Sequence, residues 1–283
     1  MAKAKARQSK DGFKFSKSLG QNFLQDQGII DEIVDAAQIG QEDLVIEIGP
    51  GGGALTKELI KEAGKLIAVE LDDRLIPELN ARFMPYGNFQ LIHEDILKVD
   101  LQEIIHRELE SGQLKKVKVI GNLPYYITTP IIMGLLEKGI PADSITIMMQ
   151  KEVGDRILAK PNTKAYGALS IAVQYYSEVE KVLDVPRHCF YPQPNVDSIV
   201  LKLNIKKQKD IEVVDEGLFF ETVKAGFGMR RKTLLNSLTL IQGIDKGQIG
   251  KALDLAGIDP ARRAETLTIE EFATLAKAIG EFK

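Results

Sequence analysis

Cysteine is almost absent from this chain: Cys189 stands alone among 283 residues. No intrachain disulfide can form, and a reducing compartment is expected. A cysteine between His188 and Phe190 could be a nucleophile, but a small buried apolar residue is the plainer reading. Histidine is scarce too. His93, His106 and His188 are scattered, so there is no His/Cys cluster of metal-ligand spacing, and no metal is expected. Apolar runs are short, and none approaches the roughly 18 to 20 residues that span a bilayer. The basic start, MAKAKARQSK, is followed by no apolar stretch of the secretory-signal kind. A cytoplasmic protein with no membrane partner is the expectation.

An excess of positive charge is also missing. The net charge is −3, from 37 Lys+Arg against 40 Asp+Glu, which by itself argues against a nucleic-acid binder. The distribution argues otherwise. Residues 1–20 carry Lys3, Lys5, Arg7, Lys10, Lys14 and Lys17 against Asp11 alone, a local balance of +5. A second basic knot, GMRRKTLLN, groups Arg230, Arg231 and Lys232. Phosphate contacts depend on such local clusters rather than on the total. Taken alone, each is better read as a solvated tail and an ordinary helix start.

What the chain does have is the composition of a soluble globular protein, 44% apolar and 27% charged. Its length suits one large domain and one small. From about residue 43 to 150, short apolar runs alternate with helical patterns. DLVIEIG, KLIAVEL, NFQLIHED, KKVKVIGN and SITIMMQ read as strands. ALTKELIKEAG, DDRLIPELNARF, LQEIIHRELESG and TPIIMGLLEKG read as helices, Pro77 being tolerable only near a first turn. Such alternation implies a parallel sheet covered on both faces. DQGIIDEIVDAAQIG is an amphipathic helix ahead of the first strand. After the helical YGALSIAVQYY, the runs EVEKVLDVP and DSIVLKLNI are expected to pair as an antiparallel hairpin at one sheet edge. Beyond KKQKD only helical periodicity remains, in about four short helices. The expected division is therefore a large α/β domain over 1–208, with a basic tail at 1–18, and an all-helical domain over 209–283.

Three stations in the alternating region carry chemistry. EIGPGGGALT, residues 47–56, sits where a strand gives way to a helix. Gly49, Gly51 and Gly53 let the backbone turn sharply and approach a ligand, and Ala54 completes a G-x-G-x-x-G/A pattern. Glu70 ends the next strand, where a carboxylate can accept both hydrogen bonds of a ribose diol. Asp95 ends the third, where it can accept from an exocyclic adenine amine. Either acid alone would more often be a solvated cap; acids at the carboxyl ends of adjacent strands are harder to dismiss.

In this order the Gly-rich turn, Glu70 and Asp95 resemble the S-adenosylmethionine site of class I methyltransferases. NLPY, residues 122–125, resembles their N/D/S-P-P-Y/F amino-methyltransferase motif. KSLGQNFLQD, MMQKEVGDRI, KAYGALSIAVQYY and FYPQPNVDSIV extend the likeness over nearly the whole chain. Together they are similar to the small-subunit ribosomal RNA adenine dimethyltransferase family, with no departure at any motif position. That resemblance implies a Rossmann-like, mostly parallel seven-stranded sheet with an antiparallel edge hairpin and a small helical C-terminal domain. It implies S-adenosyl-L-methionine as methyl donor. It also implies dimethylation at N6 of two adjacent adenosines, in a hairpin loop near the 3′ end of small-subunit ribosomal RNA. The partner would be that RNA or a pre-assembled small subunit, and the enzyme a monomer acting in small-subunit biogenesis.

The resemblance also assigns residues. An exocyclic adenine amine is a poor nucleophile, because its lone pair is delocalised into the ring. Two acceptors against its N–H groups would pull the nitrogen toward sp³ geometry and stabilise the incoming positive charge. In the family's pattern these are the side-chain oxygen of Asn122 and the carbonyl of Leu123. Pro124 stiffens the turn, Tyr125 stacks on the adenine, and Phe190 clamps its other face. Asn22 and Leu24 line the methionine side of the cofactor, which Asn122 also borders, with Gln21 and Glu47 in support. Arg230, Arg231 and Lys232 become candidates for phosphate contacts. Glu152 and Arg156 need no more than a helix-surface ion pair at i,i+4.

Other readings compete. Related dimethyltransferases act on one adenosine of large-subunit ribosomal RNA and confer macrolide resistance; the shared motifs do not separate the two, and FYPQPNVDS and the helical domain favour the small-subunit type. A non-catalytic RNA-binding assembly factor would retain the fold, but its motifs would be expected to decay. An NAD-dependent dehydrogenase explains the glycines and leaves NLPY and Asp95 unexplained.

Overall fold

A computed structural model of the chain describes residues 22–283; the basic tail and Gln21 lie outside the described residues. The first elements are β1 (Phe23–Leu24), α1 (Gln27–Ala37), β2 (Asp43–Ile48), α2 (Thr56–Glu62), β3 (Lys65–Glu70), α3 (Ile76–Phe83) and β4 (Phe89–His93). Next come α4 (Leu101–Leu109), β5 (Lys116–Asn122), α5 (Thr128–Glu137), β6 (Ser144–Gln150), α6 (Lys151–Leu158) and α7 (Ala168–Tyr176). The chain ends with β7 (Ser177–Val185), β8 (Phe190–Tyr191), β9 (Ser198–Ile205), α8 (Glu216–Gly228), α9 (Leu234–Ser237), α10 (Lys246–Leu255) and α11 (Ile269–Gly280).

Two compact units result: one holds the described residues up to Lys151 together with Glu180–Leu203, the other Glu152–Val179 with Asn204–Lys283. The helical unit thus takes in α7 and most of α6, upstream of the division expected at 208/209. The reason is aromatic packing: Tyr166 and Tyr175 share a buried core with Phe219, Leu253 and Phe272. Three of its helices, α8, α10 and α11, start where the sequence supplies side-chain caps. Asp215 Oδ1 accepts from the Leu218 N–H, while Asp245 with Gln248 and Thr268 with Glu271 form reciprocal capping boxes. The ion pair expected between Glu152 and Arg156 is not among those of the described residues. Both side chains are exposed, where such a pair gains little.

In the first unit seven strands run in the order β4-β3-β2-β5-β6-β9-β7. β2 is parallel to both β3 and β5, β3 to β4, and β5 to β6. All six residues of DLVIEI are buried, as a central strand covered on both faces must be. The β9–β7 pair forms one edge, and in the outer strand β7 only Ser177 and Val185 are buried. α1 starts where Asp26 accepts from the Ile29 N–H, and it lays Ile30, Ile33 and Ala37 on the sheet. Pro77 stands in the first turn of α3, the one place it costs no hydrogen bond. Cys189 is buried, and its thiol, 3.8 Å from Asp26 Oδ2, is pushed up by burial and by that carboxylate. An inert apolar role follows. No helix among the described residues is long and apolar enough to cross a membrane.

One topological fact positions everything below. Strand order reverses at β2, whose two neighbours leave in opposite directions. A crevice therefore opens at the carboxyl ends of β2 and β5, the usual ligand position in open α/β sheets.

Candidate active site

The crevice is a cavity of about 390 Å³, within the usual range for a small-molecule ligand. Its floor is the glycine turn after β2. Gly49, Gly51 and Gly53 have φ of 68°, 57° and 77°, a left-handed conformation that costs other residues roughly 1–2 kcal/mol. Space restricts them too. A Cβ on Gly51 would lie 3.0 Å from Phe23 Cε1, and one on Gly53 2.6 Å from Phe83 Cε2. Gly49, Gly51 and Gly52 thus bring backbone to the cavity wall, beside the Phe23 ring.

Two carboxylates face this turn. Glu70, at the end of β3, accepts from the Leu71 and Asp72 N–H groups at 2.9 and 2.8 Å on Oε1, and from Gly51 N–H at 3.1 Å on Oε2. Its pKa is raised, chiefly by burial, against the pull of those N–H groups. Of about four lone-pair positions on a carboxylate, three are taken, so a bound diol would find one acceptor ready and would displace Gly51 for a second. Glu47 is more extreme. It is 1% exposed and accepts from Thr56 Oγ1 at 2.7 Å. Burial, with the Glu70 charge adding to it, pushes its pKa to about 8. At neutral pH it is predominantly a protonated acid.

The NLPY segment closes the opposite wall. β5 ends at Asn122, and register places Gly121 beside Ile48, so the next residues on the two strands are Asn122 and Gly49. They lie close together: a Cβ on Gly49 would stand 4.0 Å from the Asn122 backbone oxygen. Asn122 Nδ2 donates to the Asn22 carbonyl at 3.2 Å, which turns its Oδ1 into the available acceptor. The Leu123 N–H donates to the Met148 carbonyl at 3.1 Å, and the Pro124 carbonyl accepts from Ile127 N–H at 3.1 Å and Thr128 Oγ1 at 3.0 Å. Tyr125 is half-buried, its hydroxyl 2.8 Å from Ser198 Oγ. Burial raises its pKa.

Of the residues expected from sequence, Asn22, Leu24, Glu47, Gly49, Gly51, Glu70, Asn122, Leu123, Pro124 and Tyr125 line the cavity together. Asp95 and Phe190 do not. Asp95 Oδ1 accepts from the Leu97 N–H at 3.0 Å, capping its own turn. Phe190 is 4% exposed and belongs to the core. Its neighbour Tyr191 lines the cavity instead, because β8 pairs antiparallel with β1 in the register Phe23↔Tyr191, Leu24↔Phe190. GQNFL, read as a polar loop, thus contains a short strand. Phe23, Tyr191, Glu78 and Arg82 join the lining without having been expected there. Arg82 donates to the Gly52 carbonyl at 2.7 Å from α3, with no signal in sequence beyond a charged helix face.

In the helical unit the basic cluster divides. Arg230 spends its guanidinium on the carbonyls of Lys164 (2.8 Å) and Tyr166 (3.4 Å), a structural task. Arg231 and Lys232 are exposed, with no ion pair among the described residues. No group of three or more potential metal-ligating side chains occurs among the described residues.

The chain is similar to known proteins. A family model described as ribosomal RNA adenine dimethylase matches residues 12–281. Ribosomal RNA small subunit methyltransferase A of Bacillus cereus strain B4264 is 54% identical over 273 residues, covering 95% of this chain and 93% of that protein. The protein of the same name in Bacillus anthracis strain CDC 684 matches to the same extent. A dimethyladenosine transferase structure from Plasmodium falciparum superposes with a TM-score of 0.73 at 28% identity, over 89% of this chain and 95% of that one. The structure of the 23S rRNA methyltransferase ErmE gives 0.67 at 25% identity, over 92% and 100%.

Proposed function

We propose a substrate and a mechanism for this chain, which belongs to the ribosomal RNA adenine dimethylase family. It is a methyltransferase that dimethylates the N6 amines of adenosines in small-subunit ribosomal RNA. The small-subunit assignment is supported by 54% identity to proteins named for that subunit, against 25% to the 23S enzyme. Two adjacent adenosines of a hairpin loop near the RNA's 3′ end are the proposed targets, within a partly assembled subunit. A monomer acting in the cytoplasm is part of the same reading.

S-adenosylmethionine fits the cavity: the glycine turn and an acceptor carboxylate on Glu70 suit a ligand carrying a diol, and the protonated acid of Glu47 adds a neutral polar group to the lining. When bound it supplies an electrophilic methyl carbon on a sulfonium. The chain's residues do the rest by positioning. Asn122 carries the reading, because it lines the cavity and its amide is tied by the N–H side to Asn22, which leaves the amide oxygen as the acceptor. That oxygen and the Leu123 carbonyl accept the two N6 protons in hydrogen bonds, which localises the lone pair on nitrogen. Neither group is basic enough to take a proton, so both stay neutral dipoles that stabilise the ammonium character of the transition state; the methylated nitrogen, strongly acidic once charged, then releases its proton to water. Tyr125, fixed through Ser198, offers the base a rigid ring.

The test is tritiated methyl transfer to undermethylated small subunits, followed by nucleoside analysis. Label in N6,N6-dimethyladenosine of the small-subunit RNA is expected. No label in that RNA, with label appearing in large subunits assayed in parallel or nowhere at all, would overturn the reading.

A further inference from the structure

Tyr126 takes no part in the mechanism above, yet its side chain stands 61% exposed immediately after Tyr125. The turn does not need its ring. Backbone and Thr128 bonds to the Pro124 carbonyl hold the segment, and Thr128 is buried beneath it. Across the bond between Tyr125 and Ser198, the chain leading into β9 presents Val196, 43% exposed, two residues before Ser198. Two large apolar side chains thus stand in water within two residues of the contact that fixes the base-stacking tyrosine.

A nucleotide drawn out of an RNA loop loses stacking on its neighbour, a cost of a few kcal/mol. The neighbouring base is then left with a bare face at the mouth of the enzyme's cavity. A flat, uncharged aromatic is the group that replaces such stacking without reading sequence. We propose that Tyr126 is a stacking seat for the unpaired base adjacent to the target adenosine. This rests on the methyl-transfer reading and extends it to a second nucleotide.

The experiment is steady-state methylation of undermethylated small subunits by Tyr126→Ala and Tyr126→Phe, alongside S-adenosylmethionine affinity by calorimetry. Loss of one stacked base corresponds to a rise in KM for subunits of roughly 5- to 150-fold. The expectation for Tyr126→Ala is that rise, with kcat at saturating subunits within about twofold of wild type and cofactor affinity unchanged. Tyr126→Phe keeps the ring and restores KM. An unchanged KM in Tyr126→Ala overturns the seat while leaving the reaction assignment standing. A parallel fall in kcat and cofactor affinity overturns it too, by showing that the ring only supports the loop. A wild type that labels no small-subunit adenosine overturns both.

Discussion

Glu47→Gln separates what burial does to this site from what its shape does. Glu47 sits on a central strand, 1% exposed, with its carboxyl bonded to Thr56 and facing the cavity. Burial pushes its pKa from 4.5 to about 8. In the unfolded chain the group ionises near the lower value, so between the two the folded protein holds a proton that the unfolded chain has released. The unfolded state binds fewer protons there, and stability must fall as pH rises through that window. At 1.36 kcal/mol per pH unit, the loss is on the order of 3 kcal/mol by pH 7 and on the order of 5 kcal/mol above pH 8. Glutamine keeps the side chain's volume and an acceptor for Thr56, and it has no proton to lose. The variant should therefore match wild type below pH 4.5 and exceed it by about 3 kcal/mol at pH 7. Urea unfolding at a series of pH values reads this directly from the midpoints, provided the slope m is unchanged. A stability difference independent of pH, or a variant weaker than wild type at pH 9, would refute the claim that Glu47 is held protonated by burial.

Three further outcomes follow from the geometry. Asn122→Ala removes the acceptor and its tether to Asn22, so kcat should fall about 10²- to 10³-fold, as when other preorganised hydrogen-bonding groups are deleted, while calorimetric cofactor binding survives; near-normal turnover would refute the acceptor pair. Gly53→Ala puts a methyl 2.6 Å from the buried Phe83 ring at a φ of +77°. Left-handed strain and overpacking together should cost roughly 2–5 kcal/mol in a denaturation series. Arg231→Ala combined with Lys232→Ala should weaken RNA binding and reduce its salt slope by about one for each phosphate left without its cation, whereas Arg230→Ala should lower the melting temperature, because its partners are the carbonyls of Lys164 and Tyr166.

Local chemistry made much of this protein legible from sequence. Glycine is the residue that accepts positive φ without strain, so the turn after β2 was marked by composition. Short apolar runs alternating with 3.6-period segments pointed to a covered parallel sheet, and Pro77 had to fall in the first turn of α3. Asn122 through Tyr125 follow directly on a strand-like run, and in a parallel sheet that position is the carboxyl edge.

Tertiary structure alone decided the rest. A two-residue strand is too short to show a period, so nothing local distinguished Phe190 from Tyr191. The register of β8 against β1, elements far apart along the chain, sends one ring to the core and the other to the cavity. Asp95 reads as a site acid by position at the end of the third strand, yet the cavity that the fold forms does not include it in its lining. Arg230, Arg231 and Lys232 read alike as one basic cluster; carbonyls supplied by residues 164 and 166 make only the first structural. The proton on Glu47 is likewise absent from the letter E, because desolvation is a property of everything packed around a side chain.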